Sequence, residues 1–305
     1  MKRFNRSFYN FRDCLILGLI VFCFCSGLCQ NYIDIFRLDY SGNNAIHYKL
    51  GGAKSNLREF IADLTIPIKI STKVNLISGL VLENVDVSAF AYQNKISVYT
   101  LGLKFGINRT YNEKWSATYI LLPKASSELT NIKNRDFQLG FAALAKCAIN
   151  KNFNYKIGIF YNSDLFGTFI TPLLGVYFQK NKYEVNLLLP RMGDVNYSIR
   201  PNLKIGLRFN GTIRSFNIHD LLGNAQYLQI ANSDIGPYIG YSYKRLNIQA
   251  MVSQSFGRYY RVYNSDDKID LGLSVFRFGD NRQQVNTDLK DGVIYRISAF
   301  YRIGF

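Results

Sequence analysis

Along most of this 305-residue chain, apolar side chains recur at every second position. Leu203, Ile205, Leu207 and Phe209 alternate with Lys204, Gly206, Arg208 and Asn210 without a break. Tyr99, Leu101, Leu103, Phe105 and Ile107 alternate with Thr100, Gly102, Lys104, Gly106 and Asn108, and Leu64, Ile66, Ile68 and Ile70 with Thr65, Pro67, Lys69 and Ser71. Phe153, Tyr155, Ile157, Ile159 and Tyr161 oppose Asn154, Lys156, Gly158 and Asn162, with Phe160 as the exception. A strand turns successive side chains to opposite faces, so each run has one apolar and one polar side. The runs last about nine to eleven residues, which a tilted strand needs to cross a bilayer, whereas strands of soluble domains are commonly about five or six.

The chain opens with Lys2, Arg3, Arg6 and Arg12, then an apolar run from Cys14 to Phe24 and the small residues Ser26, Gly27 and Cys29. That is the layout of a secretory signal peptide spanning 1–29, with cleavage between Cys29 and Gln30; the run is too short for an ordinary membrane helix. Leu28 before Cys29 and Phe24 before Cys25 argue against lipidation, which wants a small residue there. Four of the five cysteines lie in this leader, so the mature chain keeps Cys147 alone, without an internal disulfide or a cysteine-rich metal site. Losing the leader's four basic residues and Asp13 lowers the net charge from +16 to +13. Such a charge attracts anionic lipid, lipopolysaccharide or small anions, and export sets nucleic acid aside.

After the leader no apolar stretch approaches the length of a membrane helix. Strand-like segments also run over 32–41, 73–83, 114–123, 136–149, 168–179, 182–190, 226–232, 236–244, 245–257 and 268–278, some of them halves of one bent strand. With the terminal strand the count reaches about twelve to fifteen, which predicts an all-β, transmembrane, antiparallel up-and-down β-barrel of about 12 to 14 strands over 30–305. Asn112-Glu113-Lys114, Lys151-Asn152, Lys180-Asn181-Lys182 and Lys244-Arg245 read as short hairpin turns, and 43–59, 210–226 and 263–268 as longer outside loops. Pro123 and Pro190 each end a leucine-rich run before a cation and mark strand ends or bulges. Twenty-two tyrosines and 23 phenylalanines suit an interfacial girdle.

Chemistry is sparse. Histidine occurs only at 47 and 219, and His219 precedes Asp220 on a strand-like stretch where neighbours face opposite ways. A solvated loop histidine is the default, and a hydrolase acting on envelope lipid or peptide, with His219 as base, is the alternative. No phosphate loop, metal-ligand cluster or nucleophile elbow is present, so no cofactor and no catalytic site is expected. Phe278-Gly279-Asp280-Asn281-Arg282 reads as a tight turn, or as a segment exposing Asp280 and Arg282. If the apolar faces meet lipid, then Lys69, Lys104, Lys156, Lys204, Arg208, Arg296 and Arg302 face the lumen. A basic lumen would favour a small anionic solute; the competing reading pairs these cations with carboxylates on other strands and plugs the barrel. The expectation is a non-enzymatic narrow pore, or a binding or structural barrel.

The last segment, Val293 to Phe305, alternates in the same way, with Phe300 and Ile294 as exceptions, and ends on an aromatic. It resembles the C-terminal strand that the barrel-assembly machinery recognises in bacterial outer-membrane barrels. Tyr111-Asn112-Glu113-Lys114-Trp115-Ser116 leading into Leu121-Leu122-Pro123-Lys124, the segment Phe166 to Pro172, and Leu271-Gly272-Leu273-Ser274 followed by Phe278 to Arg282 resemble an uncharacterised family of Bacteroidota-type outer-membrane β-barrel proteins, defined as a domain of unknown function. The resemblance covers nearly all of the mature chain. It implies a barrel in the bacterial outer membrane, in contact with its lipid, and brings no catalytic residues.

Overall fold

A computed structural model describes residues 32–49, 54–88, 95–129, 132–219 and 224–304. The expected leader with its expected cleavage point at Cys29/Gln30, Asp220 and the terminal Phe305 lie outside the described residues. Five strands come first: β1 (Tyr32–His47), β2 (Lys54–Lys69), β3 (Val74–Val87), β4 (Ile96–Thr110) and β5 (Trp115–Ser127). Five more follow: β6 (Phe137–Asn150), β7 (Phe153–Asp164), β8 (Gly167–Lys180), β9 (Tyr183–Leu189) and β10 (Met192–Arg200). Then come the long β11 (Leu203–His219), β12 (Ala225–Tyr243) and β13 (Leu246–Asn264), the short β14 (Leu271–Leu273) and β15 (Phe276–Phe278), and β16 (Val293–Gly304). Strands β1 to β13 pair antiparallel in chain order, and β16 joins β13 to β1, so the sheet closes as a barrel of 14 strands.

Closure removes the sheet edge, as a strand-built membrane protein requires. The alternation sorts as expected. Leu103, Phe105, Ile157, Leu174, Leu207, Ile239 and Ile297 are exposed on the outer surface, while Thr100, Asn154, Asp194, Asp234 and Ser298 are buried inside. This arrangement is inverted relative to a soluble protein and is stable only where hydrocarbon surrounds the barrel. The odd aromatics and aliphatics of the polar registers also point inward: Phe300 and Ile294 are buried, and Phe160 packs near Phe166 and Phe169. The six turns from β2–β3 to β12–β13 lie at the end where the described chain starts and stops, which is the periplasmic side of such a barrel. There Trp115 packs edge-on against Tyr155 (6.1 Å between ring centres) and Tyr183 against Tyr197 (4.9 Å), part of an aromatic girdle.

Several sequence boundaries move. Met192–Arg200 is a strand, carrying only Val195, Tyr197 and Ile199 as its apolar register. The segments 226–232 and 236–244 are one strand, β12, and 268–278 supplies the β14–β15 hairpin and no barrel strand. That hairpin lies alongside β8, with Gly272 beside Phe169, above the short β9–β10 pair. Pro190 does end its run at a turn, but Pro123 sits inside β5 opposite Leu139 of β6. The β4–β5 ladder lapses between the pairs Gly102–Lys124 and Phe105–Leu121, where proline has no N–H to give.

Within the region 210–226, expected as a loop, residues 210–219 and 225–226 belong to β11 and β12, whose extension governs the lumen. Above the Met192–Asn210 pair β11 has lost its β10 neighbour, and it continues as a three-stranded ribbon with β12 and β13. Between the pairs Ser233–Phe256 and Ala231–Tyr259, β13 carries two residues, Gly257 and Arg258, where β12 carries only Asn232, with Gly257 at φ +61°: a β-bulge, which bends the ribbon inward. The ribbon crosses the barrel, so that Asn217 pairs with Ser127 of β5 on the far wall. Its two faces are both buried. Phe216, Ile218, Leu228, Ile230, Tyr260 and Val262 pack on the β1–β4 wall around Leu57, Val85, Val87 and Val98, and Tyr227 and Tyr263 pack on Phe166, Phe169 and Ile269.

Candidate functional site

The polar register fills the lumen below this ribbon with acid–base pairs, most of them bridging strands. Lys204 Nζ lies 3.1 Å from Glu184 Oε2, and Arg208 Nε donates to Asp194 Oδ2 at 2.7 Å. Both terminal nitrogens of Arg296 donate to Asp234 at 3.3 Å, and Arg302 forks onto Asp34 at 2.7 and 3.1 Å. Lys104 pairs with Asp63, and Arg37 with Asp39 at 2.6 Å. Deeper, where the ribbon crosses, Arg214 reaches the carboxylates of both Glu59 and Glu83. Neighbouring hydroxyls complete the network, with Tyr238 donating to Asp194 and Tyr32 to Glu184, each at 2.9 Å.

Between these pairs runs a cavity of about 580 Å³, from a rim at Tyr241, Ser242 and Asn247 on the turn side up to Glu59 and Asn232 under the ribbon. Seven carboxylates and six cations line it. The positive lining expected from the sequence is therefore absent from this cavity. The reason is that most of these cations meet carboxylates on the adjacent or next-but-one strand, several of which, Asp194 and Asp234 among them, stand outside the segments that read as strands. Of the expected residues, Lys204, Arg208, Arg296 and Arg302 line the cavity, Lys104 sits beside it on Asp63, Lys156 faces inward on β7 beside Gly175, and Lys69 is exposed at the end of β2.

Two residues of this candidate site escaped sequence reasoning. Arg214 continues the register of Lys204 and Arg208 beyond Asn210, where the strand was taken to end. Arg191, at the β9–β10 turn, also lines the cavity, with Asp63 attracting it and Arg37 repelling it.

The outer end is shut twice. Beneath lies the apolar cluster of the ribbon, which contains Leu289 of the connection 265–292. Above, that connection is strapped down. Arg261 forks onto Asp288 at 2.8 and 2.9 Å and Lys49 adds a contact at 3.1 Å, while Asp291 accepts from the backbone N–H groups of Gly257 (3.1 Å) and Arg258 (2.9 Å). Arg282, whose side chain is almost fully buried, donates to Tyr227 and Gln229 and stacks 4.2 Å over Tyr263, so the turn at Gly279 clamps the loop and does not offer Arg282 outward.

The Arg261 fork, helped by Lys49, holds the Asp288 carboxyl down at about 2. Because that lies below the ordinary carboxylate value, the strap contributes its stability above about pH 4 and loses it as pH falls through about 2. A spin label at Val285→Cys should stay immobile from pH 8 to about pH 4 and gain mobility toward pH 2. Mobility that rises near pH 6 would contradict this latch.

His219 sits at the outer end of β11, with Nε2 3.2 Å from Lys133 Nζ and Nδ1 3.5 Å from Glu128 Oε2; among the described residues no hydroxyl or thiol hydrogen-bonds to it. His47 is exposed at the end of β1. No group of three or more metal-ligating side chains gathers among the described residues.

A family model described as Domain of unknown function (DUF6268) matches residues 51–258. No curated protein matches the chain. Among solved structures, similarity extends to the COG4313 outer membrane channel from Pseudomonas putida F1, at 10% identity and a TM-score of 0.47 over 92% of this chain and 97% of that one. It extends also to the toluene transporter TodX of Pseudomonas putida (10% identity, TM-score 0.40, 97% and 94% covered) and to the translocator domain of the autotransporter NalP from Neisseria meningitidis (9%, 0.38, 95% and 94%).

Proposed function

The chain belongs to the family defined by the domain of unknown function DUF6268, and from that premise we propose that it is a non-enzymatic, solute-handling outer-membrane barrel, a narrow channel held shut at its outer end. The observation that carries this reading is the cavity of about 580 Å³ that enters from the turn side and stops under the ribbon. Its volume lies within the range of small-molecule sites. A lining of alternating charges suits polar solutes of either sign or of none, so the proposal replaces an anion-selective pore with a weakly selective one. Outer-membrane lipid, lipopolysaccharide and the barrel-assembly machinery, engaged through the C-terminal strand, are the partners this reading assigns.

The reversal potential of the barrel opened by excising ribbon residues 213–231, under a roughly tenfold KCl gradient, tests the balance of charges. Permeabilities of potassium and chloride within about threefold of one another are expected, because fixed charges of both signs line the path. Strong anion selectivity would restore the basic-lumen reading and remove this one.

A further inference from the structure

With the lumenal charges paired, the surplus of basic residues must lie elsewhere, and much of it lies on the turn side. All six short turns carry cations: Lys69 and Lys73, Arg109 and Lys114, Lys151, Lys180 and Lys182, Arg200, and Lys244 with Arg245. All ten are exposed, and among the described residues none has a carboxylate within ion-pair distance; Glu113 is the single acid in these turns. The opposite end differs, for the connection 265–292 alone holds six aspartates against four cations.

The height of this ring matters as much as its charge. Each cation stands within a few residues of the last side chain of the apolar belt: Lys69 after Ile68, Arg109 after Ile107, Arg200 after Ile199, Arg245 before Leu246. Arg109 lies 5.3 Å over Tyr111, Lys182 5.9 Å over Tyr197 and Lys244 5.5 Å over Tyr243, so their charged heads stand on the aromatic girdle that sits at the membrane interface. Strands about 4.8 Å apart place successive hairpin turns roughly 10 Å from one another, close to the spacing of lipid head groups. We infer that this girdle of cations is a binding surface for anionic phospholipid in the leaflet on the turn side, with the head-group phosphates as ligands.

The surface is independent of whether the lumen conducts. Spin-labelled phosphatidylglycerol and phosphatidylcholine, each added to phosphatidylcholine vesicles holding the folded barrel, report which lipid the protein immobilises. Phosphatidylglycerol is expected to be favoured at least twofold at low salt, with the preference falling toward unity near about 0.5 M KCl as the charges are screened. The combined variant Lys180→Gln, Lys182→Gln, Lys244→Asn and Arg245→Gln should lose roughly half of the preference. Equal immobilisation of the two lipids by the unmodified protein, or a preference that survives high salt, overturns the proposal even if the variant fails to fold. A preference unchanged in the folded variant overturns it as well.

Discussion

Replacing Arg214 with methionine should lower the unfolding free energy of the barrel by about 3 to 5 kcal/mol, the range for a buried ion pair that loses one partner. Arg214 is the only cation touching Glu59 and Glu83 among the described ion pairs, and both carboxylates are buried. Methionine fills similar space and leaves two like charges facing each other away from water. The same argument requires that Glu59→Gln and Glu83→Gln, added to the methionine variant, restore most of the loss, since no charge is then stranded. Urea unfolding followed by gel mobility measures both. A single variant within about 0.5 kcal/mol of the unmodified barrel would show that Arg214 does not hold the ribbon to the wall.

Much of the barrel was legible because its two solvents are so different. Hydrocarbon outside and polar groups inside impose strict alternation, and in Tyr99–Ile107 and Leu203–Phe209 that alternation is complete. Where a segment has another neighbour the signal fades. The outer halves of β11, β12 and β13 bury both faces, so Ile213 falls in the register opposite to Phe216 and Ile218, the alternation breaks, and the stretch reads as loop. Strand β10 was missed for a related reason, since only Val195, Tyr197 and Ile199 meet lipid before the strand ends.

The lumen was half legible. Periodicity shows that Lys204, Arg208, Arg296 and Arg302 face inward, yet which carboxylate each meets depends on the register between strands far apart in the chain. Arg302 meets Asp34 only because β16 closes onto β1, and Arg214 meets Glu59 only because the ribbon folds across. Net charge gave no help in locating the surplus. It marks a basic protein, and only the fold reveals that the lumen is balanced and the turns are not.

The second large effect concerns the ribbon itself. Thr212 pairs with Asn232, so excising 213–231 and joining these two residues through Asn-Gly leaves a hairpin with a tight turn. The remaining strands, 203–212 and 232–243, are still long enough to cross the bilayer. The excision removes Phe216, Ile218, Leu228 and Ile230 from the apolar cluster, and Glu59→Gln with Glu83→Gln spares the carboxylates that lose Arg214. Conductance in a planar bilayer, with insertion verified for both proteins, compares this variant with the unmodified barrel. The account predicts a silent unmodified protein and discrete conductance steps from the excised one. Equal steps from both, or silence from the inserted variant, would contradict a channel closed by its own ribbon.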